Sequence, residues 1–140
     1  MAIFGPFTSG YLLVNSVDLS ARCKSISVNY QADMLDASAM GDLTKVNLAG
    51  LKGWSVSADL VDDMSASGNG SVDATLFPLI GAAAFAVVVR PSTAVLGATN
   101  PSFTGNAVLP SYSMGGAHGG LLTKGGITFQ CAGALVRTTA

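Results

Sequence analysis

Few residues in this 140-residue sequence have the types and spacing that catalysis requires. His118 is the one histidine, and it lies in the glycine-rich segment 114–120 with no acid beside it to orient the ring. A catalytic triad needs a serine, a histidine and an orienting acid held rigidly, and no Gly-x-Ser-x-Gly elbow occurs. We interpret His118 as a loop residue and predict that the protein is not an enzyme.

Metal and phosphate sites also lack their usual residues. Asp62 and Asp63 are neighbours near a predicted strand end, so their side chains point to opposite faces and do not converge on one ion. Cys23 and Cys131 have no metal-ligand spacing, and we interpret both as small, reduced, apolar residues. The loop that ends at Lys124 lacks the Gly-Lys-Ser/Thr of a phosphate-binding loop. We therefore expect no cofactor and no metal.

The composition predicts a protein that associates with itself. Charged residues make up 11% of the chain, against roughly 25% in ordinary soluble domains. Such a surface of small polar and apolar side chains tends to be buried against other copies. The net charge of −1 and the lack of basic patches disfavour a nucleic-acid reader. The longest apolar run, 76–89, contains Pro78 and is shorter than the roughly 20 residues of a membrane span, and the amino terminus has no secretory signal pattern.

Charge is divided unevenly along the chain. All eight acids are aspartates within residues 18–73, where only four Lys or Arg accompany them. The rest of the chain carries Arg90, Lys124 and Arg137 and no acid. In an assembly of many copies, this asymmetry can place one sign of charge on one surface; chance in a sparsely charged chain is the alternative.

Alternation of apolar and polar residues predicts a mainly β fold. Three segments alternate clearly: 24–34, 53–61 and 127–131, with Trp54 and Phe129 on their apolar faces. Segments 11–15, 85–90 and 104–112 indicate further strands. From the apolar faces we expect one core that contains Ile26, Val28, Tyr30, Trp54, Ile127 and Phe129.

Two segments favour helical structure. Residues 71–81 predict a short helix with Ser71 as N-cap, Gly81 as C-cap and Val72, Leu76, Leu79 and Ile80 on one face, which Pro78 ends early. Residues 17–24 predict one more turn, capped by Asp18. We interpret residues 41–52 as a long connection between two strands.

The polar faces of the three clearest strands carry short side chains and no Lys or Arg. This pattern suits the smooth wall of a channel and equally suits an ordinary solvated sheet face. The residues concerned are Ser25, Ser27, Asn29, Gln31 and Asp33 on one strand, Ser55, Ser57 and Asp59 on the next, and Thr128 and Gln130 on the third.

Four sequence segments, taken in order, resemble the tail tube proteins of tailed bacteriophages. They are Val14-Asn-Ser-Val-Asp-Leu-Ser20, the stretch Leu35-Asp-Ala-Ser-Ala-Met-Gly-Asp42 with the following 46–57, Asn100-Pro-Ser-Phe-Thr-Gly-Asn-Ala107, and 127–137. The resemblance covers residues 11–137. Ser16 departs from the glycine common at that turn, so we expect the turn to differ.

The resemblance implies a β-sandwich or barrel with one flanking helix, forming a single domain over 1–140. It implies hexameric rings that stack into a tube, with a tape-measure protein and later DNA in the lumen, and with tail tip and tail terminator proteins at the ends. Such a protein is assembled in the bacterial cytoplasm, resides in the virion tail and does not enter a membrane. The resemblance further implies that residues 41–52 reach a neighbouring subunit or ring; we assign Asp42, Lys45, Val46, Leu48 and Leu51 to that inter-subunit contact.

Three other functions remain open at the sequence level. A capsid decoration or head–tail joining protein can share the implied fold. A hydrolase with His118 as base would need partners that the sequence does not supply. A ligand-binding or carbohydrate-binding sandwich is disfavoured, since aromatic residues are 7% of the chain.

Overall fold

Antiparallel β-strands dominate the structure, a computed structural model that describes residues 10–61, 72–92, 94–98 and 100–139. A single short α-helix is present within these residues, so the predicted fold class is confirmed. The strands are β1 Tyr11–Val14, β2 Val17–Asp18, β3 Cys23–Asp36, β4 Asn47–Val61, β5 Phe85–Arg90, β6 Ser102–Val108, β7 Thr123–Cys131 and β8 Val136–Thr138, and the helix is α1 Val72–Leu76.

The strands form one hydrogen-bonded sheet that curls over its own core. Its order is β2-β1-β5-β6-β7-β4-β3, and β8 pairs with β6 beyond the end of the β6–β7 pairing. Val28 of β3 and Phe103 of β6 line one cleft although two strands separate β3 from β6 in the sheet. The layers of the predicted sandwich are therefore parts of a single curled sheet.

The core contains three of the six apolar residues predicted for it, and two more pack against it. Trp54, Ile127 and Phe129 are buried, and Phe129 meets Phe85 edge to face with ring centroids 5.9 Å apart. Ile26 and Val28 are only partly buried against this core. Tyr30 is 50% exposed, so its assignment to the core was wrong. It pairs with Trp54 in the ladder, but β3 is the last strand of the sheet, and no layer formed by the described residues covers Tyr30.

The predicted helix forms and ends early. The α-helical part stops at Leu76, and a 3-10 turn at Phe77–Leu79 holds Pro78, as expected where proline removes an N–H donor. Val72, Leu76 and Leu79 are buried, whereas Ile80, expected on the same face, is 39% exposed. The hydroxyl of Tyr112 donates to the carboxylate of Asp73. Ser71, the expected N-cap, lies outside the described residues.

Two turns refine the predictions near the amino terminus. Asn15 and Ser16 both have positive φ, 48° and 67°, and they join β1 to β2 as a two-residue hairpin loop. The turn therefore keeps the left-handed geometry that a glycine would provide. Ser20–Arg22 forms the expected helical turn as a 3-10 helix, and its Ser20 N–H donates to Oδ1 of Asp18 at 2.9 Å.

Half of the segment predicted as a connection, residues 41–52, is strand. β4 begins at Asn47, so residues 47–52 pair with β3 and the loop is confined to 37–46. The result is a long β3–β4 hairpin. We call its distal part, residues 34–52, the arm, and residues 37–46 the arm tip. No helix within the described residues has the length and apolar character needed to cross a membrane.

Candidate channel and assembly surfaces

The polar residues predicted to line a channel lie side by side on one face of the sheet. The ladder places Asn29 opposite Ser55 and Ser55 opposite Gln130. Residues directly opposite in a ladder share a face, and every second residue along a strand returns to it. We call this surface the polar face; it comprises Ser25, Ser27, Asn29, Gln31, Asp33, Ser55, Ser57, Asp59, Thr128 and Gln130, all exposed or half-buried.

Asp59 joins three strands of the polar face. Its Oδ2 accepts a hydrogen bond from Oγ of Ser25 at 3.2 Å, and its Oδ1 accepts one from the N–H of Gly126 at 2.9 Å. The ladder is irregular on both sides of Asp59, which frees the Gly126 amide from strand pairing. Both bonds lower the pKa of the Asp59 carboxyl, and the bond from Gly126 has the larger effect. Asp59 is therefore a structural element of the wall as well as a charge on it.

Asp33 differs from Asp59 in its surroundings. It is exposed, and within the described part of the chain its carboxylate makes no hydrogen bond. It lies opposite an irregularity in β4, where Cβ of Asp33 would be 3.3 Å from a Cβ added to Gly50. Its charge is thus free to act on whatever faces the sheet.

The arm is apolar and exposed on both of its faces. Met34 and Leu35 are consecutive on β3, so they point to opposite sides, and they are 64% and 55% exposed. Met40 and Leu43 at the tip are fully exposed. The residues assigned to the inter-subunit contact, Asp42, Lys45, Val46, Leu48 and Leu51, are also all exposed. A monomer in water gains nothing from this arrangement, which favours burial against another molecule.

Local hydrogen bonds order the arm tip. The Ala37 N–H donates to the carbonyl of Val46 at 2.7 Å, and the Val46 N–H donates to Oγ of Ser38 at 2.8 Å. Oδ2 of Asp42 accepts from the N–H of Ala39 at 2.7 Å. Asp36 accepts from the backbone and the side chain of Ser38, which lowers the pKa of its carboxyl. The tip therefore presents its apolar side chains from a defined loop.

The described residues offer little for catalysis or metal binding. His118 is exposed in the loop between β6 and β7. No group of three His, Cys, Asp or Glu side chains in the described ranges could hold a metal ion. Both cysteines are free and partly buried, and burial raises the pKa of Cys23 to about 11. That thiol stays protonated at neutral pH and is a poor nucleophile.

Several exposed apolar residues of the arm were not predicted from the sequence to be contact residues. Met34, Leu35, Met40 and Leu43 were not assigned to any contact, although apolar residues on consecutive strand positions were a signal that neither face is solvated. Arg90 was also missed, because the cleft around it is built from β3, β5 and β6, which are distant in the sequence.

Neither a protein-family model nor a curated protein sequence matches this chain. Solved structures do resemble it. A chain from the virion of a native gene transfer agent particle matches with a TM-score of 0.68 and 18% identity, over 91% of this chain and 95% of that one. A chain from the tail of an empty gene transfer agent particle, refined with C6 symmetry, matches with a TM-score of 0.64 and 18% identity, over 85% and 83%.

A third similar structure is the SPP1 Dit protein, described as a hub adsorption apparatus protein of phages that infect Gram-positive bacteria. The TM-score is 0.53 at 12% identity, and the match covers 89% of this chain but 50% of Dit. All three likenesses are at low sequence identity and establish the fold. This fold is one found in the particles of gene transfer agents and of phages.

Proposed function

We propose that the protein is a tail tube subunit that assembles into stacked hexameric rings and forms the channel for DNA in a phage or phage-like tail. The observation that carries the proposal is the division of one sheet into two surfaces. The polar face of β3, β4 and β7 is short-chained and lacks Lys and Arg between 25 and 33 and between 53 and 61. The adjoining arm exposes apolar residues on both sides, as an assembly contact requires.

The similar structures support this proposal. One of the matching chains lies in a gene transfer agent tail refined with C6 symmetry, and a six-fold ring is the geometry proposed here. This chain matches nearly the full length of its counterpart in the virion. The whole chain would then form one tail tube domain, with the arm as the contact between subunits and a tape-measure protein in the lumen during assembly.

The polar face has the electrostatics that a DNA channel needs. Lys or Arg on the wall would bind phosphates and release counterions, so that DNA would adhere. With six copies in a ring, Asp33 and Asp59 would each contribute a ring of six negative charges. In a lumen only a few Debye lengths wide, about 8 Å each at physiological salt, these fields overlap. DNA would meet a weakly repulsive wall with few fixed donors.

Two related functions predict a different assembly. The likeness to Dit, described as a hub adsorption apparatus protein, favours a hub role, for which a stack of many rings is not expected. A capsid decoration or head–tail joining protein would not polymerise alone into tubes. The number of stacked rings therefore distinguishes the three functions.

Negative-stain electron microscopy of the purified full chain tests the proposal. Hollow tubes of stacked six-membered rings are expected. The variant Met40→Ser with Leu43→Ser should remain folded but form no tubes, because it removes the apolar tip of the arm. The matched control is Met114→Ser with Leu121→Ser, which changes two residues of similar size, 54% and 65% exposed, outside the arm. Tubes from the arm variant, or single rings from the wild type, would contradict the proposal.

A further inference from the structure

An apolar cleft opens into the core beside β3. It is lined by Ile26 and Val28 of β3, Val89 and Arg90 of β5, Pro91 and Phe103. We call it the Arg90 cleft. Ile26 and Val28 are only partly buried there, because β3 is the last strand of the sheet. Within the described part of the chain, the curled sheet thus leaves an apolar surface open at this edge.

Arg90 gives this apolar cleft a positive charge. Its guanidinium lies over the ring of Tyr11, with Cζ 4.6 Å from the ring centroid. Nε of Arg90 is buried and has no hydrogen-bond partner among the residues that the structure describes. A carboxylate is the strongest partner for a guanidinium. The cleft is therefore complementary to a group that combines apolar side chains with one acid.

The arm tip has that combination. Asp42 stands between Met40 and Leu43, both fully exposed. One oxygen of the Asp42 carboxylate accepts from the Ala39 N–H, and Oδ1 makes no hydrogen bond within the described part of the chain. From Asp36 to the end of the tip there are two acids, Asp36 and Asp42, against one base, Lys45. The tip thus presents an apolar pair around an available carboxylate oxygen.

The arm tip cannot reach the cleft of its own chain. Val28 lines the cleft, and Asp36 is eight residues further along the same continuous strand. At about 3.3 Å per residue, these two positions are roughly 26 Å apart. The tip lies beyond Asp36, and the β3–β4 ladder holds it away from the cleft. A contact between the two surfaces must therefore join two copies.

We propose that the arm tip of one copy binds in the Arg90 cleft of the next copy, with Met40 and Leu43 against the apolar wall and Asp42 paired with Arg90. The contact joins two different surfaces, so it repeats from subunit to subunit and can build a ring or a stack. This inference rests on the proposed self-assembly and names the receptor surface for the arm.

Charge reversal tests the pairing in the full chain. Arg90→Asp alone and Asp42→Arg alone should each raise the critical concentration for assembly at least about tenfold, since each leaves like charges facing at the contact. The chain that carries both substitutions should return to within about threefold of the wild type, because every contact regains an opposite pair. Arg137→Asp, a reversal of an exposed arginine on β8, is the matched control and should assemble as the wild type does.

The outcomes separate this inference from the proposed function. If Arg90→Asp assembles like the wild type, or if the double variant is no better than the single ones, the pairing is wrong although tubes still form. If the wild type itself forms no tubes, the proposed function fails. The pairing is then judged by disulfide crosslinking of Leu43→Cys in one copy to Phe103→Cys in another. An intramolecular crosslink of Phe4→Cys to Phe103→Cys in the monomer would assign the cleft to the chain's own amino terminus and overturn the proposal.

Discussion

Replacing Gly105 with alanine should destabilise the fold through Trp54. A Cβ at position 105 would lie 2.4 Å from Cζ2 of Trp54, 3.0 Å from its Cη2 and 3.1 Å from the carbonyl oxygen of Ala134. Trp54 is 5% exposed, and its Nε1–H donates to the carbonyl of Gly133 at 2.7 Å. The ring is thus held between β6 and the chain after β7, and it has little room to withdraw.

The expected loss is about 2–3 kcal/mol in the free energy of unfolding. Overpacking of a filled core costs about 1–3 kcal/mol, and weakening the indole hydrogen bond adds about 1 kcal/mol. Gly105 does not have positive φ, so alanine introduces no backbone strain. It lowers the entropy of the unfolded chain instead, which offsets about 0.4–1 kcal/mol.

Urea unfolding monitored by tryptophan fluorescence measures the lost free energy of unfolding. The signal comes from the site of the substitution, because Trp54 is the single tryptophan. The measurement is made below the concentration at which the protein assembles. Gly53→Ala is the matched control: its added Cβ meets nothing within 4 Å, so its stability should stay within about 0.5 kcal/mol of the wild type. In the Trp54→Phe background, where unfolding is followed by circular dichroism because the tryptophan is gone, the penalty of Gly105→Ala should shrink, since the smaller ring vacates the space. If Gly105→Ala is as stable as the Gly53→Ala control, Trp54 does not fill the space beside residue 105.

Three further predictions concern the turns and the polar face. Ser16→Gly should stabilise the protein by about 0.5–1 kcal/mol in thermal unfolding: it removes left-handed strain of about 1–2 kcal/mol at a φ of 67°, and the higher entropy of the unfolded glycine chain offsets about 0.4–1 kcal/mol of that gain. Asp59→Asn should make the free energy of unfolding in urea less sensitive to acid. The pKa of the Asp59 carboxyl is lowered in the folded state from its usual value of 3.8. The wild-type carboxylate therefore stabilises the fold above that pH, and this stability is lost as the pH falls through the folded pKa. Asp33→Lys should leave tubes able to assemble but slow DNA ejection from the particle, with the defect easing as salt rises; unchanged ejection would remove Asp33 from the channel wall.

The strands with clear alternation could be predicted because burial of one face requires an apolar residue at every second position, and this pattern is visible within a few consecutive residues. Trp54 and Phe129 alternate with short polar residues, and one face of β4 and β7 meets the core. Tyr30 obeys the same alternation and was wrongly assigned to the core. Whether a layer covers it depends on the curl of the sheet, and no nearby residue encodes that curl.

Local sequence patterns could not predict the start of β4 or the Arg90 cleft, for two different reasons. Gly50 and the ladder irregularity beside it interrupt the period of two, so residues 47–52 gave no clear strand signal. The cleft brings Val28 and Phe103 together across a sheet whose order the sequence does not state. Asp59 shows both cases: alternation placed it correctly on the polar face, but its bond to Gly126 arises from irregular pairing between β4 and β7.

The uneven charge along the chain fits a contact between unlike surfaces. The aspartates lie within residues 18–73, which include the arm, while Arg90 belongs to the part of the chain that carries no acid. A symmetric contact of arm with arm would bring Asp36 and Asp42 of one copy against those of the other, and like charges repel at close range. A contact of arm with cleft brings opposite charges together at every repeat. Only 11% of the residues are charged, so few other charge pairs can determine which surfaces of two copies bind each other.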